Sequence, residues 1–241
     1  MTSRQLQFYI TVESPCSYYD DRVSRNLVPD PDLPMNMPIY NQLIQHGFRR
    51  SGSYCYRPYC KQCQSCIASR IPVQAFTPNR SQRRCSNRNS DLSMSTSSAR
   101  FTEEHFALYA KYLDSRHEDS SMASPSEDDF RDFLLCDWSD THFIELRQDS
   151  QLVAVAVTDF VRDGLSAVYS FFDPGMQERS LGTYCILQQI AMAKQLRLPY
   201  VYLGYWLQDH PKMQYKINYR PLELYIDDCW QQLDKHLPEA T

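Results

Sequence analysis

Residues 165–206 constrain the fold more than any other stretch. Leu165 to Phe172 is an apolar run with strand character, and Asp173-Pro174-Gly175 is a tight turn. Tyr184, Leu187 and Ala191 then recur at i, i+3 and i+7, which predicts a helix from about Glu178 to Leu196. Pro199 stops it before a second strand, Tyr200 to Trp206. A strand, a crossover helix and a strand make two parallel neighbours in one sheet. Ligands of such sheets bind beyond the carboxyl ends of the strands. Polar and aromatic residues collect at those ends: Asp173 after the first strand, Tyr205 and Trp206 at the second. The stretch predicts the floor of an active site.

The rest of the chain fits around it. Phe8, Ile10 and Val12 alternate with polar residues as a short strand, and residues 26–38 are a proline-rich connector. Pro38 opens a helix through His46, with Gly47 as its C-terminal cap. A turn-rich cysteine segment precedes a strand from Ile67 to Phe76 and a basic helix from Asn79 to Asn89, and residues 91–99 read as a strand or a link. Thr102 caps a helix through Arg116. Ser124-Pro125-Ser126-Glu127 reads as a capping box opening another, through about Leu135. Strands follow at Phe143–Arg147 and Leu152–Val161, with Asp163-Gly164 as the hairpin turn into Leu165. This order, helix, helix, three strands, helix, strand, resembles that of an acyl-CoA N-acyltransferase-like domain. The expected fold is a mixed α+β or α/β sheet of that kind at residues 99–241. A smaller cysteine-bearing α+β module is expected at residues 1–98.

Charge divides the chain more sharply than its formal net of −4 implies. Between Asp32 and Asp91 there is no Asp or Glu, while Arg49, Arg50, Arg57, Lys61, Arg70, Arg80, Arg83, Arg84 and Arg88 all fall there. The following segment is acidic, from Glu103 and Glu104 through Glu118 and Asp119 to Asp140. A basic half beside an acidic half is the footprint of a polyanion binder that is not basic overall. Neither phosphate-loop signature occurs, so ATP is not expected. No apolar run is long enough for a membrane span, and the first residues lack a secretory h-region. The expectation is a cytoplasmic protein without a membrane partner, its nine cysteines reduced or metal-bound.

Four groups of residues carry candidate chemistry. Cys60, Cys63 and Cys66 form C-x2-C-x2-C, with Cys16 as a distant fourth. That set suits Zn²⁺ or an iron–sulfur cluster; the plain alternative is reduced thiols on a loop. Cys55, Cys85, Cys136, Cys185 and Cys229 read as core residues. Arg80, Arg83, Arg84 and Arg88 share one helical face, which matches a run of phosphates, against the alternative of a solvated face. Tyr202, Tyr205, Trp206, Lys212, Tyr215, Lys216, Tyr219 and Arg220 mix rings for stacking with cations. Lys212, Tyr215, Lys216 and Tyr219 share a face if their segment is helical. Lys216 and Arg220 also suit a carboxylate, since Arg offers a bidentate fork. Asp173 can orient or deprotonate an attacking amine, or merely form a turn before Pro174. Ser180, Gly182 and Tyr184 open the crossover helix, where backbone N–H groups favour an anion; the alternative is capping by Ser180.

Seven segments together resemble the bacterial branch of the arginyl-transferase family, the aspartate/glutamate leucyltransferases. They are CSYYDDR from Cys16, FRRSGSYCYRPYCKQCQSCIASRIPV from Phe48 and SQRRCSNRNSDL from Ser81. They continue with GLSAVYSFFDP from Gly164, SLGTYCILQQIA from Ser180, YVYLGYW from Tyr200 and KMQYKINYRPLE from Lys212. They span nearly the whole chain in order. The resemblance implies transfer of leucine from leucyl-tRNA to proteins beginning with Asp or Glu, which marks them for degradation by the N-degron pathway. On that basis Asp173 and Tyr205 are the expected catalytic residues. Arg80, Arg83, Arg84, Arg88, Ser180, Gly182, Tyr184 and Trp206 are expected at the tRNA. Arg70, Lys216 and Arg220 are expected at the acceptor. Eukaryotic relatives carry an early C-x-x-C, and Tyr19 stands at its second position here. Two rival readings are an acetyl-CoA-dependent N-acetyltransferase and a metal-stabilised RNA-binding module. Arginine is the alternative transferred residue.

Overall fold

The computed structural model describes residues 6–116 and 124–233. The first third contains β1 (Phe8–Ile10), β2 (Ser14–Pro15), β3 (Val23–Ser24), β4 (Asn26–Pro29), α1 (Met37–Gln45), β5 (Arg49–Ser51), β6 (Tyr54–Pro58) and β7 (Ile67–Pro72). Then come α2 (Arg80–Arg88), β8 (Ser93–Ser98), α3 (Glu103–Arg116), α4 (Glu127–Leu134), β9 (Thr141–Gln148), β10 (Gln151–Val161) and β11 (Gly164–Phe172). A 3₁₀ turn at Pro174–Arg179 leads into α5 (Leu181–Gln195) and β12 (Tyr200–Trp206). A second 3₁₀ turn, Gln214–Asn218, precedes β13 (Glu223–Ile226) and β14 (Cys229–Gln232).

Eight strands form the main sheet in the order β14-β13-β7-β12-β11-β10-β9-β8. Its parallel pair is β11 and β12, joined by α5 as the crossover, as the spacing predicts. Successive residues of β10 serve opposite faces. Ala154 and Ala156 pack under α5, while Val155 and Val157 pack under α3 and α4. A third core joins α1 and β5–β6 to the sheet through Val161 and Tyr202. A four-stranded sheet, β1-β4-β6-β5, lies in the N-terminal part. The expected boundary at 98/99 does not break the main sheet, because β7 and β8 both belong to it. Buried Arg50 also reaches Asp159 of β10 with a two-pronged contact of 2.7 Å on each prong. Among the described residues no helix is long and apolar enough to cross a membrane.

Several local expectations shift, each for a physical reason. The crossover helix does not run unbroken from Glu178, because Ser180 is left-handed (φ 54°) and a right-handed helix cannot pass through it. The capping box sits two residues later, between Ser126 and Asp129. Residues 162 and 163 turn the β10–β11 hairpin, and Gly164 is already in β11. A Cβ at Gly164 would lie 2.4 Å from the Tyr200 carbonyl oxygen, so the glycine serves close strand approach. Residues 26–29 of the expected connector form β4. The segment from Lys212 to Tyr219 is a 3₁₀ turn at its centre rather than an α-helix. Three residues per turn place Lys216 and Tyr219 inside and leave Lys212 and Tyr215 outside. Glu118 and Asp119 of the acidic segment lie outside the described residues.

Candidate active site

The parallel pair does not stay paired. Gly164 to Ser166 align with Tyr200 to Tyr202, and the ladder ends there. Two irregularities account for it. Opposite β10, the register passes from Tyr169 directly to Ala167, so Val168 is an extra residue in β11. Opposite β7, the register shifts between Tyr202 and Gly204, and Gly204 is left-handed with φ +73°. A bulge bends its strand and re-aims the chain. Two facing bulges therefore open a wedge between the carboxyl halves of β11 and β12.

Carbonyl groups left in the wedge need donors. Arg49 supplies them, donating at 3.1 Å to Leu203 and to Ala167, and also to Val168. A Cβ on residue 204 would fall 1.4 Å from an Arg49 nitrogen, so only glycine leaves the guanidinium its place. Lys216, 2% exposed, donates to the Tyr205 carbonyl at 2.6 Å. Burial and the charge of Arg49 bring the Lys216 ammonium down to a pKa of about 7. Tyr18, Tyr56, Tyr205 and Tyr215 surround the wedge. Burial raises the hydroxyls of Tyr18, Tyr56 and Tyr205, with Arg49 opposing it.

At the end of β11, Asp173 is 6% exposed. Its Oδ1 accepts from Lys111 Nζ of α3 and from the Gly175 N–H, each at 2.8 Å. Among the described residues no donor reaches its Oδ2. Burial opposes ionisation, but the Lys111 ammonium and the Gly175 N–H outweigh it and hold the carboxyl below its ordinary value. The start of α5 lies next in sequence. Ser180 makes no side-chain cap, so the first-turn N–H groups of α5 are not taken by it. Gly182 lets that turn approach Phe172, whose ring would lie 3.1 Å from a Cβ.

Helix α2 is fastened beside this end of α5. Gln82 donates to the Asn218 carbonyl, and Asn89 donates to the Arg179 carbonyl. With Gln82, Cys85 and Asn89 facing inward, Arg80, Arg83, Arg84 and Arg88 are exposed. Arg83 also donates to Pro78 and Arg88 to Glu178, both backbone carbonyls. The basic helix follows the sequence expectation, and the structure adds its caps, Asn79 and Asn89.

Other expected site residues are engaged elsewhere. The Tyr205 hydroxyl is buried, 2.8 Å from the Tyr56 carbonyl and 3.2 Å from that of Gly47, so its proton is already engaged inside the fold. Arg70 pairs with Glu223 at 2.7 Å and lies between the rings of Tyr200 and Trp230, so its charge is already met. Arg220 donates to the carbonyls of Ile217 and Leu233. Trp206 is 3% exposed and packed in the core, not offered for stacking, and among the described residues its indole N–H has no partner. Tyr184 is buried too. Cys229 is exposed rather than in the core. Lys111 carried no sequence signal and Arg49 only its place in the acid-free run, because the partners of each are distant in the chain.

Cys66 lies within electrostatic reach of the other three candidate thiols. Burial first, then Cys16, Cys63 and Cys60, raises Cys66 to about 12. Cys63 is held below its ordinary value: burial opposes this, and Ser65 and Arg22 outweigh it. The donor set is that of a tetrathiolate site. Even so, no three His, Cys, Asp or Glu side chains among the described residues converge as a metal cage.

The family model for the N terminus of arginine-tRNA-protein transferase matches residues 14–84, and that for the C terminus matches residues 104–226. The aspartate/glutamate leucyltransferase of Hahella chejuensis is 51% identical over 227 residues, 94% of this chain and 97% of that protein. That of Saccharophagus degradans is 47% identical over 94% of this chain and 96% of its own length. Among solved structures, L-PGS from Bacillus licheniformis aligns with 60% of this chain and 48% of that one, at 12% identity and a TM-score of 0.47. The chain belongs to the arginine-tRNA-protein transferase family, in its aspartate/glutamate leucyltransferase branch.

Proposed function

We propose that this protein transfers leucine from leucyl-tRNA to the α-amino group of proteins that begin with Asp or Glu, marking them for N-degron degradation. The observation that carries the chemistry is Asp173, with one oxygen fixed by Lys111 and Gly175 and the other free. An aminoacyl ester is already activated. The α-amine, with a pKa of roughly 8, needs only to be held and relieved of a proton. Its nitrogen bonds to the leucyl carbonyl carbon, the ester bond to the ribose oxygen breaks, and the nitrogen's proton leaves as the ribose hydroxyl re-forms. The depressed pKa of Asp173 suits it to orient the amine and to stabilise the positive charge that grows on the attacking nitrogen. The exposed arginines of α2 face the tRNA phosphates, and the uncapped start of α5 receives the 3′ end. The cysteine set, read as a Zn²⁺ or iron–sulfur site at Cys16, Cys60, Cys63 and Cys66, is supported by the donor set and by the reach of Cys66 to the other three thiols. No step of the transfer runs through it.

The test is transfer of labelled leucine, without ATP, to peptides beginning with Asp, Glu, Lys or Ala, with arginyl-tRNA in parallel. Label from leucine on the Asp and Glu peptides is the expected result, and Asp173→Asn is expected to lower it by on the order of 100-fold or more. Label from arginine would change the donor and keep the mechanism. Full activity in Asp173→Asn would remove Asp173 from the reaction.

A further inference from the structure

Arg49 and Lys216 are two cations in one low-dielectric place. Arg49 sits on Leu203, and Lys216 sits on Tyr205, two residues along the same strand. Between them the Gly204 carbonyl turns to the β7 side, where Ser69 takes it at 2.8 Å. Both cations therefore occupy the side of β12 from which β11 has withdrawn. Carbonyl oxygens satisfy their N–H donors but carry no net charge. Among the described residues neither cation forms an ion pair, whereas Arg50 has Asp159, Arg70 has Glu223 and Arg147 has Glu104 and Glu145. Buried charge without a counter-charge is costly, and two like charges together cost more. A site built this way is completed by an anion.

We propose that the wedge is the subsite for the acidic side chain of the acceptor, with Arg49 and Lys216 as the cations that read its carboxylate. This rests on the reading that acceptors begin with Asp or Glu. The wedge lies at the carboxyl ends of β11 and β12, and Asp173 follows β11 directly at that same end of the sheet. Tyr215 lies over Lys216, its ring 5.1 Å from the ammonium, and is itself exposed. Arg49 and the Cys66 thiol also act on Lys216, and among the described residues it pairs with no carboxylate.

Lys216→Gln tests the idea, because glutamine keeps an N–H for the Tyr205 carbonyl while removing the charge. Two measurements are made with the full chain: calorimetric binding of peptides beginning with Asp or Asn, and their relative kcat/KM for transfer. The preference for Asp over Asn is expected to fall by about 10- to 100-fold in both, the range for one charge-assisted contact. An unchanged preference in Lys216→Gln would overturn the subsite and leave the transferase reading standing. Weaker tRNA binding with unchanged peptide preference would also overturn it, assigning the cations to phosphate. Charge-dependent Asp binding by a protein that transfers nothing would keep the subsite and sink the transferase reading. Arg49→Lys, which keeps the charge but not the three carbonyl contacts, is expected to retain more of the preference than Arg49→Gln.

Discussion

Arg49 and Arg50 are adjacent on β5 and meet opposite surroundings. Arg50, 1% exposed, finds a carboxylate placed for it. Asp159 takes two of its nitrogens at 2.7 Å each, and Thr141 and Tyr40 hold the same carboxylate. Arg49 finds only backbone carbonyls. Neighbours on a strand point to opposite faces, so one residue's step separates a completed ion pair from an uncompensated cation. The difference sorts architecture from function. A charge fully met inside the protein joins the N-terminal part to the main sheet. A charge met only by dipoles leaves a demand that a substrate can fill.

The largest expected effect tests the architectural side. Asp159→Ala removes the carboxylate and leaves Arg50 buried and unpaired. Breaking a buried pair from one side costs about 3–5 kcal/mol, and chemical denaturation should show a loss of that order. A loss under about 1 kcal/mol would mean that Arg50 escapes to water, and the contrast with Arg49 would collapse.

A smaller effect is expected at Lys111, where the ion pair is half in water. Lys111 is 55% exposed on its side chain and Asp173 only 9%, so the pair adds little stability but shapes the carboxylate. Lys111→Met removes one of the groups that hold the Asp173 carboxyl down, and its pKa rises. Asp173 with a depressed pKa contributes stability above its unfolded value that is lost as pH falls through its folded value. In Lys111→Met that loss begins at higher pH, and the acid limb of the transfer profile should move upward with it. An unmoved acid limb would show that Asp173 does not control the rate through its ionisation.

The sequence carried the secondary structure of the site much better than its geometry. The crossover unit was legible because Tyr184, Leu187 and Ala191 keep helical spacing between two apolar runs. The basic face of α2 was legible because Arg80, Arg83, Arg84 and Arg88 lie on one local helix. Both signals are local. The wedge was not legible, since it depends on an extra residue at Val168 and a left-handed Gly204, and neither breaks the apolar pattern of its strand. Tyr205 and Arg70 read as site residues by type and position. Long-range partners decide otherwise: Tyr56 and Gly47 for the tyrosine, Glu223 for the arginine. A side chain's chemistry is visible in one dimension, but whether that chemistry is already spent is not.

The exposed arginines of α2 form a third case, neither met inside nor buried unmet. Arg84 is exposed, and among the described residues it forms no ion pair, so its charge costs the fold little and is screened by salt. Arg84→Gln should leave thermal stability within about 0.5 kcal/mol of the parent, as surface changes usually do. Its effect belongs to leucyl-tRNA binding. Removing one phosphate contact lowers the slope of log affinity against log salt by about 0.7–0.9 and weakens binding alike for every aminoacyl group carried. Acceptor preference should not move, because α2 sits beside α5 and the wedge's two cations lie between β11 and β12. If Arg84→Gln altered the Asp-over-Asn preference, donor and acceptor would share one electrostatic surface. The separation between a buried reader of carboxylates and an exposed reader of phosphates would then be wrong.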